Sequence, residues 1–185
     1  MGYWNTRGLR GSNFEEIINF TNEKYKSMGL AVIQKIPTPI TPVELDSKRK
    51  VITLAYFDKQ STVDYVGVAQ GHAICFDAKE SGQKSLPIQN IHEHQIEFMH
   101  EFNRQDGIAF LLVHMSAYGK YYFLPIEVLE EYWNRAMKGG RKSIPIEAFE
   151  EKYEIKLRGA AMLDYLEGVN TYLVERRKNE SIDKG

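Results

Sequence analysis

The chain has 185 residues, 43% of them apolar and 26% charged, and a formal net charge of −1 at neutral pH. That is the size and composition of one soluble globular domain, and the charge balance argues against a surface coated in basic residues for indiscriminate DNA binding. No apolar run approaches the roughly 20 residues of a membrane span and no signal peptide opens the sequence, so a cytoplasmic, nucleoid-associated protein with no membrane partner is expected.

Residues 5–11 read as a flexible basic lead-in carrying Arg7 and Arg10. The first 50 residues hold 8 Lys and Arg against 5 Asp and Glu, so the positive excess is at the front. Ser12 followed by Glu15 has the capping-box form, predicting a helix that opens at Ser12, sets Phe14, Ile17, Ile18, Thr21, Tyr25 and Met28 at helical spacing on one stripe, and ends at Gly29. Glu15 has two readings there: a capping carboxylate, or a third acidic group looking into a site. Residues 30–35 read as a short strand. Pro37, Pro39 and Pro42 then force an extended path. With Lys48-Arg49-Lys50 ahead of a second strand at 51–57, they suggest a projecting arm with a basic tip; a plain solvated loop is the other reading.

The chemistry gathers in Thr62-Val63-Asp64-Tyr65 and Cys75-Phe76-Asp77-Ala78-Lys79. Side chains two apart in a strand share a face, so Asp77 and Lys79 point the same way, and Thr62 and Asp64 share a face of the preceding strand. Gly67 and Gly71 allow the turn that brings the two strands together antiparallel. Two carboxylates and an ammonium around one point suit metal-assisted phosphodiester hydrolysis. Carboxylates hold Mg²⁺, which keeps several of its waters and needs few protein oxygens, and the lysine offsets charge at phosphorus. A surface salt bridge between strand ends has the same spacing. Cys75, the single cysteine, excludes a disulfide framework and reads as an inert buried thiol.

Residues 90–104 read as a helix capped by Asn90 with Glu93 three positions on, and Gln95 falls on its apolar stripe of Ile91, Phe98, Met99 and Phe102. A glutamine facing a core needs a partner, either backbone or the site itself. His92 and His94, two apart on a helix, are expected to diverge to different faces, which rejects them as a zinc pair. Residues 107–113 read as a buried central strand and 120–125 as the next, turned at Gly119. Residues 126–137 read as an amphipathic helix with Val128, Leu129, Tyr132, Trp133 and Ala136 inward. Gly139-Gly140-Arg141-Lys142-Ser143 is a hinged basic loop, suited to phosphate or equally to offsetting a helix dipole. A short helix at 146–152, a final helix at 163–177 and a frayed end from Lys178 complete the chain.

Several of these pieces, in one order over nearly the whole chain, resemble the RecU family of Holliday-junction resolvases of Gram-positive bacteria and some of their phages. They are Phe14-Glu15-Glu16, the Ala31 to Pro39 run, Ala55-Tyr56-Phe57, Thr62-Val63-Asp64-Tyr65, Phe76-Asp77-Ala78-Lys79-Glu80, Gln89-Asn90-Ile91-His92-Glu93-His94-Gln95, Gln105-Asp106-Gly107 and Gly139-Gly140-Arg141-Lys142-Ser143-Ile144. The resemblance implies an α/β fold of the restriction-endonuclease-like kind, a mixed central β-sheet flanked by helices, as one nuclease domain over residues 1–185 with a stalk at about 36–57. It implies a homodimer that cuts four-way DNA junctions with Mg²⁺, for which Mn²⁺ substitutes, and that works beside a recombinase or branch-migration machinery.

Carried over residue by residue, Thr62, Asp64, Asp77 and Gln95 form the metal site, Asp64 and Asp77 also being catalytic. Lys79 stabilises the transition state and Glu15 assists. Arg7, Arg10, Lys48, Arg49, Lys50, Arg141 and Lys142 are the expected DNA contacts. Two departures stand out: Asp77 replaces the family's usual Glu, shortening the reach by a methylene, and the family's long Lys-rich N-terminal extension is missing. A non-catalytic junction-binding or recombinase-modulating protein, and a nuclease of the same fold acting on other branched DNA, are the competing classes.

Overall fold

The computed structural model describes residues 9–57, 62–158 and 162–182. In chain order they form α1 (Leu9–Ser27), β1 (Ala31–Lys35), β2 (Ile40–Asp46), β3 (Val51–Phe57), β4 (Tyr65–Ala69), β5 (His72–Ser81), β6 (Ser85–Pro87) and α2 (Glu93–Arg104). Then follow β7 (Ile108–Met115), β8 (Lys120–Pro125), α3 (Ile126–Met137), β9 (Ser143–Pro145), β10 (Glu154–Ile155), β11 (Leu157–Arg158), β12 (Met162–Leu163) and α4 (Leu166–Ile182).

Six strands make a mixed sheet in the order β1-β4-β5-β7-β8-β10. Only β5 and β7 run parallel, and α2 lies in the crossover between them. The two-residue period of the strands sorts the core into two layers. Tyr65, Ile74, Phe76, Ile108, Phe110, Leu112 and Phe123 face Phe14, Ile18 and Tyr25 of α1 and Leu166, Val169 and Tyr172 of α4. Cys75, Ala109, Leu111, Val113, Tyr122 and Leu124 face Ile96 and Met99 of α2 and Ile126, Leu129 and Ala136 of α3. Tyr65, Phe76, Phe110 and Phe123 stack across four strands, with ring centroids 4.7, 4.9 and 4.2 Å apart in turn. Being covered on both faces explains why β7 reads as an unbroken apolar run.

The turn between β4 and β5 is made by Gln70 and Gly71, both at positive φ. Gly67, expected to serve that turn, lies instead inside β4, where a Cβ would stand 2.2 Å from the Val32 carbonyl oxygen of β1. It is the residue that lets the edge strand close on the sheet.

Tertiary packing also redraws several predicted boundaries. α1 begins at Leu9, so Ser12 lies inside the helix rather than at its cap, and the lead-in loses its last three residues to it. Packing of the stripe through Phe14, Ile18 and Tyr25 outweighs a local capping signal. Residues 88–90 form a 3₁₀ turn and His92, not Asn90, caps α2. The helix expected at 146–152 is two separate 3₁₀ turns, at Ile146–Ala148 and Glu151–Tyr153. α4 starts three residues later than expected and continues through Lys178 to Ile182.

The proline-bounded segment is a two-stranded ribbon, β2 with β3, from Ile40 opposite Phe57 to Asp46 opposite Val51. Only Asp46 and Ala55 within its strands are even half-buried. A second ribbon pairs β6 with β9.

Candidate active site

β5 runs out of the apolar layer at Asp77, whose side chain is fully buried. Lys79 stands two residues on, on the same face and 14% exposed, and its Nζ pairs with Asp77 Oδ2. Asp64 arrives from a different direction. Residues 62–64 are the loop that enters β4 rather than part of a strand, so the expected strand face of Thr62 and Asp64 does not exist. Main-chain bonds latch that loop to β5 instead. The Asp64 N–H donates to Asp77 Oδ1 at 3.1 Å, and the Ala78 N–H donates to Asp64 Oδ2 at 3.0 Å.

Gln95, in the first turn of α2, closes the cluster. Its Nε2 donates to Asp77 Oδ1 at 2.9 Å, and its Oε1 accepts from Lys79 Nζ at 3.3 Å and from the His92 N–H at 3.1 Å. The last bond is one half of a capping box, so the group that finishes the helix also aims the amide at the carboxylate. The partner required by a buried glutamine is therefore the site.

Electrostatics follow from crowding. Burial first, then the neighbouring Asp77 charge, push the Asp64 carboxyl up to about 6; the Ala78 N–H and the Lys79 charge pull the other way. Asp77 Oδ2 is buried and, apart from the Lys79 ion contact, has no hydrogen-bond partner among the described residues. A buried carboxylate oxygen with spare acceptor capacity, beside a second carboxylate and an amide oxygen, fits a hard divalent cation. Among the described residues no three His, Cys, Asp or Glu gather as a metal site, so histidine and cysteine do not add a zinc-like set.

Thr62 is exposed, two residues before Asp64, and no hydrogen bond joins it to the described residues. Glu15 pairs with Lys35, the last residue of β1, rather than with the carboxylates. It still flanks them: its charge and those of Asp64 and Asp77 all help raise the Tyr65 phenol, after burial. Lys35 is the residue that sequence reasoning passed over. It lies opposite Tyr65, and the next residue, Ile36, donates its N–H to the Asp64 carbonyl at 2.7 Å, so it stands at the site's edge. Its position just before the proline arm was the available signal.

The basic candidates fall in two places. Lys48, Arg49 and Lys50 form the tip of the β2–β3 ribbon, where Asp46 Oδ1 accepts from the Lys48 and Arg49 N–H groups at 3.0 Å each. Arg141 and Lys142 are exposed in the loop before β9. The Lys142 carbonyl accepts from the Ile88 N–H at 3.1 Å, tying that loop to the segment leading into α2. Arg10 lies in α1, and Arg7 lies outside the described residues. His92 and His94 do not diverge: their rings stack with centroids 5.5 Å apart, because His92 is a cap with extended backbone.

Residues 9–171 match the family model described as Recombination protein U. The Holliday junction resolvase RecU of Lactococcus lactis subsp. lactis is 48% identical over 168 residues, 88% of this chain and 78% of its own length. That of Streptococcus sanguinis is 44% identical over 177 residues, 92% and 87% respectively. Among solved structures, Archaeoglobus fulgidus Hjc, a Holliday junction resolvase, overlaps 64% of this chain and 75% of its own at 12% identity, with a TM-score of 0.41. The family match spans both carboxylates, Lys79 and Gln95 together with every strand that positions them, and the chain belongs to the Recombination protein U family.

Proposed function

We propose that the chain is a divalent-metal-dependent endonuclease that resolves four-way DNA junctions, acting as a homodimer with one site per subunit and one nick per site. Two nicks related by the dimer axis cut strands of like polarity. The observation that carries the reading is the buried Asp77 carboxylate, shared by the Lys79 ammonium, the Gln95 amide and the Asp64 main chain. Binding alone needs no such set.

Asp64, Asp77, the Gln95 carbonyl and the Thr62 hydroxyl would hold Mg²⁺, with Mn²⁺ as a substitute. A bound divalent ion supplies Lewis acidity toward a phosphate oxygen and lowers the pKa of a coordinated water. The protein's own groups do the rest. The main-chain latch between Asp64 and β5 keeps the two carboxylates in register without flexible linkers. Gln95, fixed by the His92 N–H, keeps Asp77 oriented. Lys79 offsets the negative charge that grows on the phosphate as water attacks.

The β2–β3 ribbon is the arm that enters the open centre of the junction. It carries an apolar, solvent-facing surface that includes Tyr56 at 65% and Phe57 at 83% exposure. Lys48, Arg49 and Lys50 at its tip and Arg141 and Lys142 beside α2 meet phosphates, so affinity falls steeply with salt.

A labelled four-way junction, a fork and a linear duplex, incubated with the protein and Mg²⁺ at one salt concentration, decide the matter. Paired symmetric nicks on the junction, lost in Asp64→Asn and Lys79→Ala, are the expected result. Equal cutting of all three substrates removes the junction assignment. Undiminished nicking by either variant removes the site.

A further inference from the structure

The oxygens assigned to the metal already hold a cation, and it belongs to the protein. Lys79 Nζ pairs with Asp77 Oδ2 and donates to Gln95 Oε1 at 3.3 Å. The arrangement is dictated by strand geometry, since residues 77 and 79 share a face of β5 and α2 covers that face. Asp77 is completely buried, and a carboxylate so placed is costly without a counter-charge. No other cation reaches Oδ2 among the described residues. An ammonium seated on that oxygen opposes a divalent ion bound beside it, because the two positive charges repel across a few ångströms.

We propose that Lys79 is a built-in counter-ion that the divalent metal must displace. The side chain therefore has two stations, one against Asp77 Oδ2 and Gln95 Oε1, the other turned toward the scissile phosphate. Metal loading is what releases the ammonium to act on substrate. Gln95 stays in place through both, because the His92 N–H and Asp77 Oδ1 hold it independently of Lys79. The inference rests on the metal reading above and adds an order of events to it.

Calorimetric titration of the full chain with Mn²⁺, without DNA, tests it. Lys79→Met keeps the aliphatic stem and removes the charge. Even at the screening of bulk water, a unit charge about 5 Å from a divalent ion changes affinity on the order of tenfold, so Lys79→Met should bind Mn²⁺ at least about tenfold more tightly while losing cleavage. Lys79→Arg keeps the charge and should gain nothing. Mn²⁺ should also raise the melting temperature of Lys79→Met more than that of the unaltered protein. Equal or weaker Mn²⁺ binding by Lys79→Met overturns the displacement. If the unaltered chain binds Mn²⁺ and Asp64→Asn does not, the metal reading stands whatever Lys79→Met does; if no variant binds Mn²⁺, both fall. Should Lys79→Met not fold, a Mn²⁺-soaked crystal of the unaltered protein serves instead. Nζ still bonded to Asp77 Oδ2 beside a bound ion overturns the proposal, and Nζ swung away supports it.

Discussion

Gln95 reaches Asp77 across the gap between α2 and β5, its Nε2 donating to Oδ1 at 2.9 Å. The bond joins the helical layer to the strand that carries the chemistry, and among the described residues Gln95 is the side-chain donor on that oxygen, beside the Asp64 main chain. Gln95→Ala is expected to lower single-turnover junction cleavage by roughly 10–100-fold, the usual cost of losing a residue that orients a metal-site carboxylate. Gln95→Glu should be worse, since it turns the donor into a third negative charge facing Asp77. Full activity in Gln95→Glu under saturating Mg²⁺ contradicts the assignment.

The Asp64 carboxyl, raised to about 6 by burial and by Asp77, makes a prediction about pH. Its native value lies above its unfolded one, so the proton favours the fold. The contribution of Asp64 to stability is therefore greatest at low pH and is lost as pH rises through about 6. Metal binding has the opposite demand, because the ion needs the ionised group. Apparent Mn²⁺ affinity should be level above neutrality and fall by roughly tenfold per pH unit below about 6, as expected for competition with one proton. Titrations at pH 5, 6, 7 and 8 check it, and an affinity unchanged across that range removes Asp64 as a ligand.

The strands, the shared face of Asp77 and Lys79 and the inward glutamine were legible because each rests on a short-range rule. Residues 77 and 79 share a face whatever surrounds them, and a glutamine on an apolar stripe must find a partner. Asp64 was found for a reason the structure does not support: it is placed by two main-chain bonds from a loop, not by strand alternation. The β6–β9 ribbon was invisible, since three-residue strands hold no period to read and their partners lie 58 residues apart, Leu86 opposite Ile144. Lys35 was overlooked for a related reason. Its role depends on the β1–β4 register and on Glu15 one element earlier, neither of which is a local signal.

One phenol of α1 bridges two groups at the start of α4. Tyr25 OH donates to Asp164 Oδ1 at 2.8 Å and accepts from the Leu166 N–H at 3.2 Å, inside the core. Tyr25→Phe keeps the ring and strands both partners, which should cost about 1–3 kcal/mol in denaturant unfolding. The site lies on the other face of the sheet, so cleavage by the folded fraction at low temperature should be unchanged. A variant as stable as the parent shows that water or Arg158, which already pairs with Asp164, takes over the partners.

The β2–β3 ribbon separates substrate choice from chemistry. Tyr56 and Phe57 sit at the base of the arm and are exposed, 65% and 83%, so the double change Tyr56→Ser with Phe57→Ser removes no buried packing. Its unfolding free energy should stay within about 0.5 kcal/mol of the parent. Mn²⁺ affinity should not move either, because among the described residues no hydrogen bond, ion pair or ring contact joins Asp64, Asp77, Lys79 or Gln95 to the arm's aromatic residues. If the rings stack on bases unpaired at the junction centre, each is worth about 1–3 kcal/mol. The double variant should then bind the four-way junction at least about tenfold more weakly while its affinity for linear duplex, set by phosphate contacts, is preserved. Competition binding with the two DNAs at one salt concentration measures the ratio. A ratio equal to that of the parent means the arm reads no feature peculiar to the junction, and the selectivity has to come from the basic residues at Lys48, Arg49 and Lys50 or from the loop at Arg141 and Lys142.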